Sequence, residues 1–385
     1  MLGDVDLVRP LGLAGAPCAA VCGPGDPVRF SRFTETAIDR LDHWSDQEAF
    51  VDRLVEWARA QPAAPVLFYQ TDGDLLLVSR HRDRLSEAFR FVLPDAALVE
   101  DLADKGRFQE LAERLGLPVP PGRLLRASGS HEPALDLTFP LVVKPLSRQG
   151  LSAIEPHAKA IGVASPAELQ MLWRRINAAG VDVIAQELVP GPETGIVSYH
   201  AYIDEGGHVA GEFTGVKIRT YPRRFGHTTA LQITRSPEVS SQGRQLVEVL
   251  GLRGVVKIDY KRDDTGALTL LEVNPRFNLW HHAGARAGVN LPGLVYADLT
   301  GRPRPPAPPF REGVRWCHPW DDRWAAAEVG ISAAAWVRWA ARCETRSGAS
   351  IDDPMPFVRG IVAPKVRRRL SRRQATPGAS AGRRS

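Results

Sequence analysis

Residues 254–278 read GVVKIDYKRDDTGALTLLEVNPRFN, and the rest of the chain is best understood outward from them. Positions 255–261 alternate and are β-branched, Asp263-Asp264-Thr265-Gly266 has turn composition, and 267–273 is again apolar, so the spacing predicts a β-hairpin. Asp259 falls on the first strand, Glu272 and Asn274 on the second. Residues two apart share a face, and an antiparallel return can bring Asp259 beside the other two. Such a cluster of hard oxygen donors suits Mg²⁺ or Mn²⁺, which combine a few protein oxygens with a substrate's phosphates. Arg276, close by, is a natural anion clamp. Taken alone, this spacing is more often a hairpin end with solvated charges. The order of motifs around it favours the metal.

The chain has 385 residues, 44% hydrophobic and 24% charged, a soluble globular balance with room for two or three domains. No apolar run has membrane-spanning length, and Asp4, Asp6 and Arg9 interrupt what would be a signal peptide, so a cytoplasmic location is expected. Cys18, Cys22, Cys317 and Cys343 have no CxxC spacing and read as free buried thiols. The net charge of +5 is a property of the tail: residues 365–385 hold eight Lys or Arg and no acid, leaving 41 basic against 44 acidic residues elsewhere. This tail reads as disordered and solubilising, with nucleic acid or anionic lipid as weak contacts at most.

Residues 1–100 alternate in the manner of a parallel α/β unit. Helices are expected at 7–13, 46–60 and 74–89, with short buried strands at 18–22, 66–69 and 90–93. Such a unit ordinarily begins with a buried strand, yet here the first helix follows Met1 almost at once. Either the sheet lacks that strand or the start lies upstream. Beyond it come a helix opened by Asp104-Lys105-Gly106-Arg107-Phe108, a strand at 139–145 that ends on Lys144, and a polar loop at 147–152 with Gly150. A helix at 167–179, strands at 181–187, 194–203 and 208–218, the last ending on Lys217, and a helix at 242–250 lead into the hairpin.

In that order the motifs DKGRF (104–108), FPLVVKP (139–145), AQELVPGPE (185–193), VKIRTYP (216–222) and KIDYKRD with LLEVNPRFN (257–278) resemble an ATP-grasp ligase. The resemblance covers roughly residues 1–300, with 1–100 similar to the domain that precedes the grasp. Within the superfamily it points to the carboxylate–amine ligases near D-aspartate ligase and carbamoyl-phosphate synthase. The implied fold is a parallel α/β domain at 1–100 and a two-lobed ATP-grasp domain at 101–300. A Pro-rich linker with a packing segment at 301–364 and the basic tail at 365–385 complete the chain.

The resemblance implies ATP held between two lobes, with Gln186, Glu187, Leu188 and Val189 as the adenine hinge and Glu193 on the ribose. Lys105 and Lys144 match the phosphate-binding lysines, and Asp259, Glu272 and Asn274 the ligands of Mg²⁺ (or Mn²⁺). The implied reaction activates a small carboxylate as an acyl phosphate, which an amine then captures. Arg276 is the first candidate to steady the anions, with Lys217 and Arg219 next. His281 and His282 are divided evenly between substrate contact or proton relay and structure. Two departures stand out: a single glycine in the 147–152 loop, where many ATP-grasp lids are glycine-rich, and the missing first strand. Trp336 and Trp339, on one face of a helix expected at 333–341, read as packing residues. The alternative function is a nucleotide-binding accessory protein without ligation; a homodimer stays open.

Overall fold

The computed structural model describes residues 1–40, 46–127, 135–146, 154–155, 159–305 and 309–366. The loop around Gly150 and nearly all of the basic tail lie outside the described residues. Among the described residues no helix is long and apolar enough to cross a membrane, and all four cysteines are free and buried.

The first domain contains α1 (Val5–Leu13), β1 (Cys18–Cys22), β2 (Thr34–Asp39), α2 (Gln47–Arg59), α3 (Asp72–Arg80), α4 (Arg82–Ser86) and α5 (Ala96–Ala103). β1 and β2 are parallel, as the alternating pattern predicts. α2 starts where Asp46 accepts a hydrogen bond from the Ala49 N–H, and it buries Phe50, Val51, Leu54, Val55 and Ala58 along one stripe. The strands expected at 66–69 and 90–93 shrink to single parallel bridges, Leu2 with Tyr69 and Val66 with Arg90. Residues 1–2 occupy the place of the first strand: the Leu2 N–H donates to the Phe68 carbonyl at 2.7 Å and the Val21 N–H to the Met1 carbonyl at 3.1 Å. Two residues support one rung, so a continuous ladder does not form beside them.

The grasp begins with α6 (Lys105–Arg114). Its small lobe is a four-stranded antiparallel sheet of β3 (Gly122–Leu125), β4 (Leu141–Pro145), β5 (Ile161–Val163) and β6 (Val183–Glu187), backed by α7 (Pro166–Ala178). The large lobe is built on β7 (Ile196–Ile203), β8 (Val209–Tyr221), β9 (His227–Ile233), α8 (Pro237–Leu250), β10 (Gly254–Arg262), β11 (Leu268–Asn274), α9 (His281–Arg286) and α10 (Leu291–Thr300).

The C-terminal packing segment, with its helix at 333–341 as expected, also extends the large sheet: β12 (Arg315–Cys317) pairs antiparallel with β9, and β13 (Thr345–Arg346), which follows α11 (Pro319–Glu328) and α12 (Ala333–Ala341), pairs parallel with β12. The large sheet therefore runs β11-β10-β7-β8-β9-β12-β13. One of its faces packs under α8 through Tyr199, Ala201, Val256, Ile258 and Tyr260. The other shares a core with α1 through Leu7, Leu11, Phe213, Trp280 and Trp316. That second face carries the polar cluster described next.

Candidate active site

The hairpin forms as expected, with Asp259 opposite Glu272 and Lys257 opposite Asn274. Two carboxylates directly opposed on one sheet face repel, so the pair needs cations. Lys217 from β8 and Lys257 from β10 supply them, their ammonium groups donating to the same Asp259 oxygen at 2.9 and 2.6 Å. Lys257 also stands 3.5 Å from Glu272. The other Asp259 oxygen accepts the Ser198 hydroxyl. Burial by itself would raise the Asp259 carboxyl, but Lys217 and Lys257 hold it well below the usual carboxylate range. Burial likewise opposes the charge on Lys217, and Asp259 and Glu272 overcome it, leaving its ammonium raised.

Both Asp259 oxygens thus have partners within the sheet, one the lysine pair and the other Ser198. Among the described residues no group of three His, Cys, Asp or Glu could hold a metal ion, and the expected set of Asp259, Glu272 and Asn274 draws its third oxygen from an amide. The donor chemistry still fits a cation carried in with phosphates. Glu272 keeps a half-exposed carboxylate and Asn274 an amide oxygen on the same strand face, leaving further positions to phosphate and water. Lys257 and Ser198 were missed in the sequence, although Lys257 lies two residues before Asp259, on the same strand face.

The small lobe contributes the other wall. Asp104 caps α6 by accepting the N–H groups of Gly106 and Arg107 at 2.8 and 2.9 Å, which sets Lys105 in the first turn. Lys105 then reaches the Pro145 carbonyl at 2.9 Å, at the end of the strand that delivers Lys144. Lys144 donates to the Gln186 side chain at 2.8 Å, and Gln186 in turn donates to Gln109. Gln186 is thus a lysine-orienting residue whose side chain is committed inside the lobe. Burial, reinforced by Lys105 and resisted by Glu272 and Glu193, brings Lys144 down to about 8. Those opposing charges show that the two lobes face each other across this cleft. The turn at Gly191, where φ is +91°, brings Glu193 round to face Lys144, Lys217 and Lys261.

The hinge after β6 has a specific chemical feature. The Glu187 N–H donates to the Pro121 carbonyl and the Leu188 N–H to the Pro140 carbonyl, both at 2.9 Å. In an antiparallel pair the partner would return an N–H, and proline has none. The carbonyls of Glu187 and Leu188 therefore lack a ladder donor and can accept one from an exocyclic amine. The Glu187 carboxylate points elsewhere, accepting the Thr138 N–H at 2.7 Å. Val189 is buried behind this hinge.

Two expected catalytic residues have other partners. Arg219 forms a bidentate pair with the fully buried Asp322 of α11, at 2.8 and 2.7 Å, and stacks over Trp339 with its Cζ 4.0 Å from the ring centre. The cause is a bulge: Lys217 is opposite Leu231 but Arg219 is opposite Ala230, so the two point to different faces. Arg276 does stand beside the cluster, its Nη2 3.5 Å from the Asn274 side-chain oxygen. Its Nε, however, donates to Asp72 of the first domain and its Nη1 to the Gln70 carbonyl at 3.1 Å, so its fork is braced between domains. His281 and His282 are buried, and burial lowers both to about 3, so they are neutral. His281 packs edge-on against Phe277, and His282 stands 4.0 Å from Asp6, both at the interface with the first domain.

A four-stranded antiparallel lobe closing on a larger sheet, behind a parallel α/β domain, is the ATP-grasp architecture, and the chain has that fold. A family model described as ATP-grasp in the biosynthetic pathway with Ter operon matches residues 209–318. The chain is similar to the D-aspartate ligase of Enterococcus faecium (strain Aus0004), 24% identical over 287 residues, covering 71% of this chain and 68% of that protein. It is also similar to a D-alanine–D-alanine ligase of Stutzerimonas stutzeri (strain A1501), 26% identical, covering 51% of this chain and 62% of that one. It thus spans about two thirds of the length of these relatives. Among solved structures, the biotin carboxylase domain of the 2-oxoglutarate carboxylase of Hydrogenobacter thermophilus, in complex with MgADP, superposes with a TM-score of 0.60. That match covers 82% of this chain and 72% of that one at 16% identity, and shows the fold.

Proposed function

We propose that this protein is an ATP-dependent ligase that joins a small carboxylate, an amino acid among the candidates, to an amine through an acyl phosphate. The observation that carries the reading is the convergence on one sheet face of Lys217, Lys257, Asp259 and Glu272, opposite Lys144 and Glu193. Adenine recognition alone would not require it.

Nucleotide lies between the lobes in this reading. The carbonyls of Glu187 and Leu188 accept the adenine amino group, Glu193 takes ribose hydroxyls, and Lys144 with Lys105 meets phosphate oxygens. The substrate carboxylate attacks the γ-phosphorus, the bond to the β-phosphate oxygen breaks, and ADP leaves. Two anions meet in that step. Asp259 holds the ammonium groups of Lys217 and Lys257 side by side against their mutual repulsion, a preorganised cationic pair for the oxygens that gain charge. Glu272 and Asn274 would hold Mg²⁺ (or Mn²⁺), which when bound would offset phosphate charge. The amine then attacks the acyl carbon and phosphate departs, leaving an amide. Arg276, braced by Asp72, lines the acid's end of the cleft through Nη2.

Incubation with ATP, Mg²⁺ and pooled small acids and amines should release ADP and phosphate and yield a new amide by mass spectrometry. With ¹⁸O in the acid, one labelled oxygen should appear in phosphate per turnover. AMP with pyrophosphate, or unlabelled phosphate, overturns the acyl-phosphate route. Nucleotide binding with no product from any pool would favour the accessory-protein alternative.

A further inference from the structure

β10 places three ionisable residues on one face, Lys257, Asp259 and Lys261, and the first two are fully engaged with each other and with Lys217. Lys261 is different. It is 5% exposed and sits inside the sheet, between Ile196 of β7 and Thr269 of β11, yet among the described residues its ammonium has no hydrogen bond and no ion pair. The charged groups facing it are Glu193, Arg224 and Asp264, none of them in ion-pair contact. Its stem is buried while the ammonium itself keeps contact with the cleft, so an ammonium without an anion stands where a ligand can supply one. Arg219 in the same sheet, with its two-pronged carboxylate, shows how this fold treats a cation it keeps for structure.

Its location narrows the ligand. A strand advances about 3.3 Å per residue, so Lys261 lies about 7 Å along β10 from the Asp259 cluster, on the side toward Glu193. It therefore stands between the phosphoryl-transfer end of the cleft and the ribose end. In a nucleoside polyphosphate the group between ribose and the terminal phosphates is the α-phosphate, an obligatory anion. We infer that Lys261 is a nucleotide-binding residue whose ammonium pairs with the α-phosphate. This rests on the cleft being a nucleotide site, as proposed above, and adds a contact that none of the matched motifs assigns.

Lys261→Met keeps the apolar stem and removes the charge. Calorimetric titration of the full chain with MgADP, AMP and adenosine should show ADP and AMP weakened about tenfold or more in this variant, the effect of losing one charge-assisted hydrogen bond. Adenosine, which has no α-phosphate, should bind both proteins alike, and Lys261→Arg should restore most of the loss. Unchanged ADP and AMP affinity, or an equal loss with adenosine, overturns the assignment alone. A wild-type chain that binds none of the three compounds overturns the nucleotide reading of the cleft and this assignment with it.

Discussion

Lys144 is a lysine only part of whose ordinary basicity survives folding, and the cause is legible in its neighbours. Burial and the proximity of Lys105 bring it to about 8, while Glu272 and Glu193 keep it from falling further. Only its ammonium form attracts phosphate, so the sign follows directly. Below about pH 8 the free protein already carries the charge. Above it, binding must take up a proton. MgADP affinity should accordingly fall as pH rises beyond 8, by up to about tenfold per unit until the pKa of the complex is reached. Titrations at pH 9 in buffers of different ionisation enthalpy should register the uptake. Lys144→Met should bind more weakly at every pH and lose that uptake; a wild-type affinity flat from pH 7 to 10 would remove Lys144 from the phosphate site. Asp259 shows the complementary case, a carboxylate kept charged in a dry place because two ammonium groups share it.

At the scale of elements, α1 carries the clearest titration. Asp6 lies in its first turn, buried, and accepts the Trp316 indole N–H at 3.0 Å. Burial, with Asp4 adding to it, pushes the carboxyl up to about 7. A carboxyl raised in the folded state contributes stability that is complete below the unfolded value near 4 and is lost as pH rises through the folded value near 7. Urea midpoints should therefore decline between about pH 4 and pH 7, with a slope of at most about 1.4 kcal/mol per unit, and level off above. Asp6→Asn keeps an acceptor for Trp316 and cannot ionise, so its profile should be flatter. Parallel curves for the two proteins would show that Asp6 does not titrate in this window. The bulge in β8 is the other decisive local feature. It turns Arg219 away from Lys217, a reversal that a strict two-residue period cannot anticipate.

Across the whole molecule, the active-site sheet is held from both ends of the chain. Arg276 and Phe277 bond to Asp72, Gln70 and Tyr69 of the first domain, and Arg9 meets the buried Asp353 near the C-terminal side at 3.1 Å. The C-terminal helices grip the sheet through Asp322, which also accepts Thr229 at 3.0 Å and Trp336 at 2.9 Å. Removing Asp322 would strand the Arg219 charge, so Asp322→Ala should cost about 3–5 kcal/mol. Arg219→Met with Asp322→Leu should recover a good part of that. Both variants should keep the wild-type MgADP affinity wherever they remain folded, because Arg219 faces α11 and not the cleft. A selective loss of nucleotide or substrate affinity in Arg219→Met, with the melting temperature unchanged, would instead return Arg219 to the catalytic group.

What the sequence determined by itself was local and ordered. The hairpin, the Asp104 cap that sets Lys105, the strand that ends on Lys144 and the helix of Trp336 and Trp339 all follow from period, cap and turn residues, whereas the bulge that puts Asp259 opposite Glu272 does not. These depend on neighbours a few positions away. The motif order then indicated the ATP-grasp fold. Tertiary structure decided which charges meet. Lys257 joins Asp259 and Gln186 orients Lys144 through strand register. Arg276 finds Asp72 roughly two hundred positions away, and the segment after Gly301 becomes part of the large sheet. Coulomb pairing and burial act over ångströms in space, and a sequence orders its residues by bonds along the chain, so only the folded chain determines which partner each lysine and arginine will hold.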